Sequence, residues 1–247
     1  MTEHLKLAKS DGAPEAPPSF IMTQTAREIH RSLRMMQRMS GFRIGLICGN
    51  AGIGKTTALE AFLSEEPLAC MVTAAGGEDD PKSLAEDLCG RFGVYGWENM
   101  SLTARRKALV RTLTQFKILI MDEAQHYKLT ALEWLRSLCE EACCDLVLAG
   151  DAKLYMVATC NAQIESRAVL PRLFSEVFPA DVQAIAAAHS LDRDGIRRDL
   201  EGVAFKRGGI RHVRNVIELA TAFANGGLVT RDHIFSAISQ LGLKEGK

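Results

Sequence analysis

Gly49-Asn50-Ala51-Gly52-Ile53-Gly54-Lys55-Thr56 fits G-x-x-x-x-G-K-[ST] without a mismatch. The glycines let the backbone curl until its amides face an anion, and a helix opening at the end of the loop aims its positive end at the same point. This is chemistry for a chain of phosphates. Lys55 reaches the β- and γ-phosphates, the Thr56 hydroxyl offers a ligand to Mg²⁺, and Thr57 closes the cradle. Ile118-Leu119-Ile120-Met121-Asp122-Glu123 supplies the other half, an apolar run that ends on two carboxylates. Asp122 suits the cation and Glu123 suits polarising an attacking water. Two adjacent acids alone are a common surface feature; beside the glycine-rich loop they read as the hydrolytic pair of an ATPase. Asp151 ends a further apolar run, where it can position the water beside Glu123 or cap the helix that follows.

These residues must be held by a frame. Residues 43–48, 71–74, 117–121, 145–149 and 175–178 read as strands. Between them, residues 56–64, 83–92, 103–113, 130–142 and 153–173 read as helices. Alternation of this kind implies an α/β fold, a parallel sheet flanked by helices, with ligands beyond the carboxyl ends of the strands. Thr25-Ala26-Arg27-Glu28 has the form of a capping box and opens a helix running to about residue 39. After residue 181 the strand signals stop, and four helical segments (182–188, 192–205, 210–224 and 230–241) form a small C-terminal lid. The expected division is a flexible arm over 1–20, a nucleotide-binding domain over 21–180 and a helical lid over 181–247.

Composition sets the outer limits. The chain has 247 residues, with 30 basic and 30 acidic side chains, so a whole-protein basic field for nucleic acid is excluded. Any nucleic-acid contact must come from a local patch, or from several subunits presenting one each. The seven cysteines form no CxxC pair and read as reduced thiols. No apolar stretch approaches the roughly 20 residues that span a bilayer, and the first residues do not read as a secretory leader, which points to the cytoplasm.

The order Gly49–Thr56, Ile118–Glu123, Gly150-Asp151, then Gly209-Ile210-Arg211, resembles the AAA+ ATPases. With Asp122-Glu123-Ala124-Gln125-His126, it is similar to the transposition regulators typified by the B protein of phage Mu and by TnsC and TniB. Secretion-associated ATPases of the ExeA type look similar in the same segments. The resemblance covers residues 22–225 or so. It implies a P-loop AAA+ core that binds ATP and Mg²⁺, assembles as a ring or filament on duplex DNA, and recruits a transposase. It also implies ATP at a subunit boundary, with a neighbour's arginine completing the site; Arg167 and Arg172 lie in the matching region. Arg211 matches the lid arginine that contacts phosphates, and Arg214 is a weaker match. Asp151 departs from the family, where Asn or Gln often stands. The phage Mu protein carries an additional N-terminal DNA-binding domain; here that leaves DNA contact to the ATPase core.

Two basic clusters could meet DNA. Arg105-Arg106-Lys107 with Arg111 lies before the carboxylate strand, and Arg27, Arg31, Arg34 and Arg38 share one helix face. No base-reading motif is present. The competing function is an ATPase switch acting on a protein partner in secretion or signalling, without DNA. A third reading is a nucleotide-binding subunit that does not turn over.

Overall fold

Five apolar runs become five strands, β1 (Ile44–Gly49), β2 (Ala69–Thr73), β3 (Ile118–Asp122), β4 (Asp145–Gly150) and β5 (Ala168–Phe174). They form one sheet in the order β2-β3-β4-β1-β5, every pair parallel. The computed structural model describes residues 20–74, 76, 80–206 and 208–243, so the arm expected over 1–20 lies outside the described residues except for Phe20.

The central strands are apolar on both faces because helices cover both. Side chains alternate across a strand. Ile47, Ile118, Ile120, Val147 and Ala149 therefore point to one face, where α1 (Gln24–Met36) and α2 (Lys55–Glu65) pack. Leu46, Leu119, Met121, Leu146 and Leu148 point to the other, covered by α3 (Pro81–Arg91), α4 (Leu102–Leu113), α5 (Leu129–Glu141), α6 (Ala152–Cys160) and the short α7 (Ala162–Glu165). The helical C-terminal region follows as α8 (Pro179–Ala188), α9 (Asp194–Ala204), α10 (Gly209–Phe223) and α11 (Arg231–Gln240). Its buried residues, among them Val182, Leu200, Val213 and Ile234, join the α1–α2 core without a break. Among the described residues no helix is long and apolar enough to cross a membrane.

Two local expectations are corrected. The fifth strand falls at Ala168–Phe174, not at 175–178, and the helix before it ends at Glu165. Pro171 masks the strand in the sequence, yet β5 is an edge strand, where a missing amide is tolerated. The pairing with β1 slips between Gly45 and Ile47, next to that proline. The cap of α1 is Thr23, whose hydroxyl accepts from the Ala26 amide at 3.1 Å; Thr25 is not the cap.

Thr25 has a different partner. Asp181 of α8, fully buried, accepts from the Gln24 amide at 2.6 Å and from the Thr25 hydroxyl at 2.5 Å, and lies 3.4 Å from the Thr25 amide. One carboxylate thus closes the first turn of α1 and joins it to the C-terminal helices. Asp181→Ala strands these donors in the core, at about 3 kcal/mol. For a chain of this size that is a fall in Tm of roughly 5–10 °C. Thermal denaturation checks it, and Asp181→Asn, which keeps an acceptor, should lose less.

Candidate functional site

The glycine-rich loop leaves β1 at the carboxyl edge of the sheet and enters α2 at Lys55. Gly52 and Gly54 adopt left-handed backbone (φ +80° and +95°), which turns the loop toward the helix start. A neighbouring strand braces it. The Asn50 amide donates to the Phe174 carbonyl of β5 at 3.0 Å, the Asn50 side-chain amide donates to the Ser175 carbonyl, and a Cβ on Gly49 would run into the Phe174 carbonyl oxygen. Lys55 bends back over the loop, its ammonium donating to the Gly49 carbonyl at 2.9 Å and the Asn50 carbonyl at 3.0 Å. Burial lowers its pKa, opposed by Glu123 and Asp122 nearby.

The carboxylates arrive on β3, two strands from β1 with β4 between. Asp122 is buried and both oxygens are engaged: one accepts from the Thr56 hydroxyl at 2.7 Å, the other from the Glu123 amide at 3.0 Å. The Thr56–Asp122 contact crosses from the loop helix to the acidic strand and brings two hard oxygen donors together. Glu123 has left-handed backbone (φ 54°, ψ 32°), uncommon for a residue with a side chain and often found at functional sites. Its side chain lines the same cleft, of about 280 Å³, as Ala51, Lys55, Thr56, Thr57 and Arg211.

Arg211 stands at the start of α10. Its amide donates to the Gly52 carbonyl at 3.1 Å, and Gly209 and Gly52 approach so closely that a Cβ on Gly209 would lie 3.2 Å from the Gly52 oxygen. The C-terminal helices therefore touch the loop directly. Ile53 is buried against the core.

An adjoining cleft of about 310 Å³ went unseen in the sequence, because its walls come from distant segments. Phe20 and Ile21 line one side, Ile185, His189 and Ile210 the other, with Gly54 and Thr57 at the shared boundary. Apolar walls beside a phosphate loop suit a flat heterocyclic base. Burial, and then the charge on Arg214, hold the His189 pKa below its usual value.

The other residues that the sequence singles out scatter. Asp151 caps α6, one oxygen accepting from the Lys153 and Leu154 amides at 2.9 and 3.0 Å. Arg167 pairs with Glu140 at 2.8 Å, whereas Arg172 is exposed on β5, its Nε 3.3 Å from the Ser32 hydroxyl. Arg105 must be corrected as a DNA contact. It is only 6% exposed, pairs with Glu86 at 2.6 Å, donates to the Trp97 carbonyl and stacks over the Trp97 ring. Arg106 is held by Glu141 and Ser137, which leaves Lys107 and Arg111 exposed on α4. Charge alone marked these arginines as solvent-facing, although a long side chain can reach inward to a carboxylate.

Residues 37–157 match the family described as an AAA domain, and residues 166–241 match the C-terminal family of the Mu B transposition protein. The ATP-dependent target DNA activator B of Escherichia phage Mu is 30% identical over 241 residues, covering 92% of this chain and 75% of its own. The chain belongs to the Mu B family. The phage D108 activator B matches to the same extent, and a Mu-like prophage FluMu DNA transposition protein B of Haemophilus influenzae is 29% identical over 208 residues, covering 78% of this chain and 70% of its own. The fold is shared with the Aeropyrum pernix Orc1 protein solved with DNA (TM-score 0.64, 18% identity, 94% of this chain and 68% of that one). It is shared too with Cdc6p of Pyrobaculum aerophilum (TM-score 0.66, 14% identity, 93% and 69%). This Mu B-family chain is an AAA+ ATPase of DNA transposition.

Proposed function

We propose that this Mu B-family ATPase binds duplex DNA without sequence preference when loaded with Mg-ATP, assembles there as a ring or filament, and presents that DNA to a transposase. What carries the reading is the Thr56–Asp122–Glu123 constellation at the mouth of the glycine-rich loop, in a chain whose relatives are named target DNA activators.

Mg²⁺ fits the Thr56 hydroxyl and the Asp122 carboxylate, which are hard oxygen donors. Mg²⁺ held there would take its remaining ligands from phosphate oxygens and water. The cation offsets charge on the phosphates when bound. Lys55 exchanges the Gly49 and Asn50 carbonyls for phosphate oxygens. Glu123 takes the proton of the attacking water, and Arg211 meets the phosphates from α10. Of the two arginines offered to a neighbour's nucleotide, Arg172 is the freer, because Glu140 holds Arg167. The helices beyond residue 180 act as the lid.

For DNA, the α1 ridge takes precedence over the α4 cluster. Arg27, Arg31, Arg34 and Arg38 are all exposed and, with Met35, line one groove. Glu65 neutralises Arg34, and among the described residues Arg31 and Arg38 form no ion pair. α1 ends at Met36, short of the expected residue 39, so Arg31 lies on the helix and Arg38 in the turn just past it; both line the same groove, where their guanidinium groups suit phosphates.

The test is fluorescence anisotropy of a labelled, non-specific duplex with ATP, ADP or no nucleotide. Binding with ATP alone, weakened steeply by salt, is expected. Arg31→Glu with Arg38→Glu should weaken it at least ~10-fold and flatten the salt dependence. No binding in any nucleotide state would replace this reading with a switch acting on a protein partner. Loss through Lys107→Glu with Arg111→Glu alone would move the contact to α4.

A further inference from the structure

We infer that Gln125 is a positioning residue for ATP hydrolysis, a two-ended tether that fixes the Glu123 carboxylate to the end of β4. The inference rests on the proposed role of Glu123 as the group that takes the proton from water.

Gln125 lies in the turn after β3, two residues past Glu123. Its Oε1 accepts from the Asp151 amide at 3.2 Å, and its Nε2 donates to Oε2 of Glu123. The chemistry fixes the orientation of this amide. A backbone N–H can only donate, so the oxygen must face Asp151, and the nitrogen is left for the carboxylate. A flipped amide would set donor against donor and acceptor against acceptor.

The seat is tight. A Cβ on Gly150 would lie 2.3 Å from Gln125 Oε1 and 2.7 Å from Leu154 Cδ2, so the absence of a side chain there makes room for the amide. Gly150 in turn pairs with Cys48 at the foot of the glycine-rich loop. The tether therefore measures the carboxylate against the strand next to β1, rather than against its own turn. Asp151, expected either beside the lytic water or as a helix cap, caps α6 with its carboxylate and meets Gln125 through its backbone amide. A carboxylate at the end of a flexible side chain, on left-handed backbone, needs such an anchor. Only one of its oxygens is held by Gln125, and the other is left to meet water.

The experiment measures steady-state ATPase rates and the affinity for a fluorescent ATP analogue in the full chain. Gln125→Ala should lower kcat about 10–100-fold, part of what a positioned general base supplies, with affinity unchanged within about two-fold. Gln125→Glu keeps the shape and the acceptor but cannot donate, and should fall as far as Gln125→Ala. Gly150→Ala, which displaces the amide without touching Glu123, should do the same. Added to Glu123→Gln, Gln125→Ala should cost nothing more, because both changes disable one unit. A kcat for Gln125→Ala equal to or above wild type, with Glu123→Gln inactive, overturns the tether and leaves the role of Glu123 standing. A matching loss of nucleotide affinity, or losses that add in the double variant, overturns it as well. Wild-type turnover by Glu123→Gln would remove the role of Glu123 and the tether together.

Discussion

Glu123→Gln is expected to reduce kcat for ATP hydrolysis by at least ~100-fold while ATP still binds. The amide keeps the size of the side chain and its contact with the turn, but it cannot accept the proton from the attacking water. Asp122, Thr56 and the loop are untouched, since Asp122 holds the Thr56 hydroxyl and the Glu123 backbone amide, not the Glu123 side chain. Single-turnover hydrolysis beside equilibrium binding separates the two effects. In the proposed function the variant should also prolong the DNA-bound state, because that state is proposed to require ATP. Turnover within about ten-fold of wild type would show that another group receives the proton.

The second large effect is expected at Gly52. Its left-handed backbone (φ +80°) strains any other residue by about 1–2 kcal/mol. A Cβ there would also strike the Gly208 carbonyl, pushing α10 and Arg211 away from the loop. Gly52→Ala should weaken ATP binding about 100-fold, since each 1.4 kcal/mol is a factor of ten. Gly54→Ala is the informative control. It also takes left-handed backbone (φ +95°), but its Cβ would meet nothing within 4 Å. The difference between the two variants, read by equilibrium titration, isolates the contact between loop and C-terminal helices. Equal losses would mean that backbone strain alone accounts for both.

Much of this architecture was legible because local chemistry dictates it. The glycine-rich loop and the Asp122-Glu123 pair are contiguous in sequence, and β1, β3 and β4 are unbroken apolar runs bounded by polar residues. β5 was misplaced because Pro171 and Arg172 interrupt its apolar pattern, a composition that only an edge position allows. Thr25 looked like a cap because its spacing to Glu28 is right; its partner Asp181 stands 156 residues away, beyond any local pattern. Arg105 looked solvated for the same reason, since Glu86 and the Trp97 carbonyl approach it only once α3 and α4 pack. The cleft between Phe20 and Ile185 and the seat of Gln125 under Gly150 are products of the fold, with no contiguous signature.

The sheet order has a consequence for how this chain is made. β1 lies between β4 and β5, and both of its neighbours are encoded far downstream. Asn50 and the Ser175 carbonyl that steadies it are 125 residues apart. During synthesis from the amino end, β1 therefore emerges long before either flanking strand exists, and it must wait as an unpaired apolar segment. Contacts of such long sequence separation close late and slowly. The ability to grip phosphate is then acquired only when β5 docks, and a nascent chain stopped before β5 has the whole motif but not the shape that makes it work.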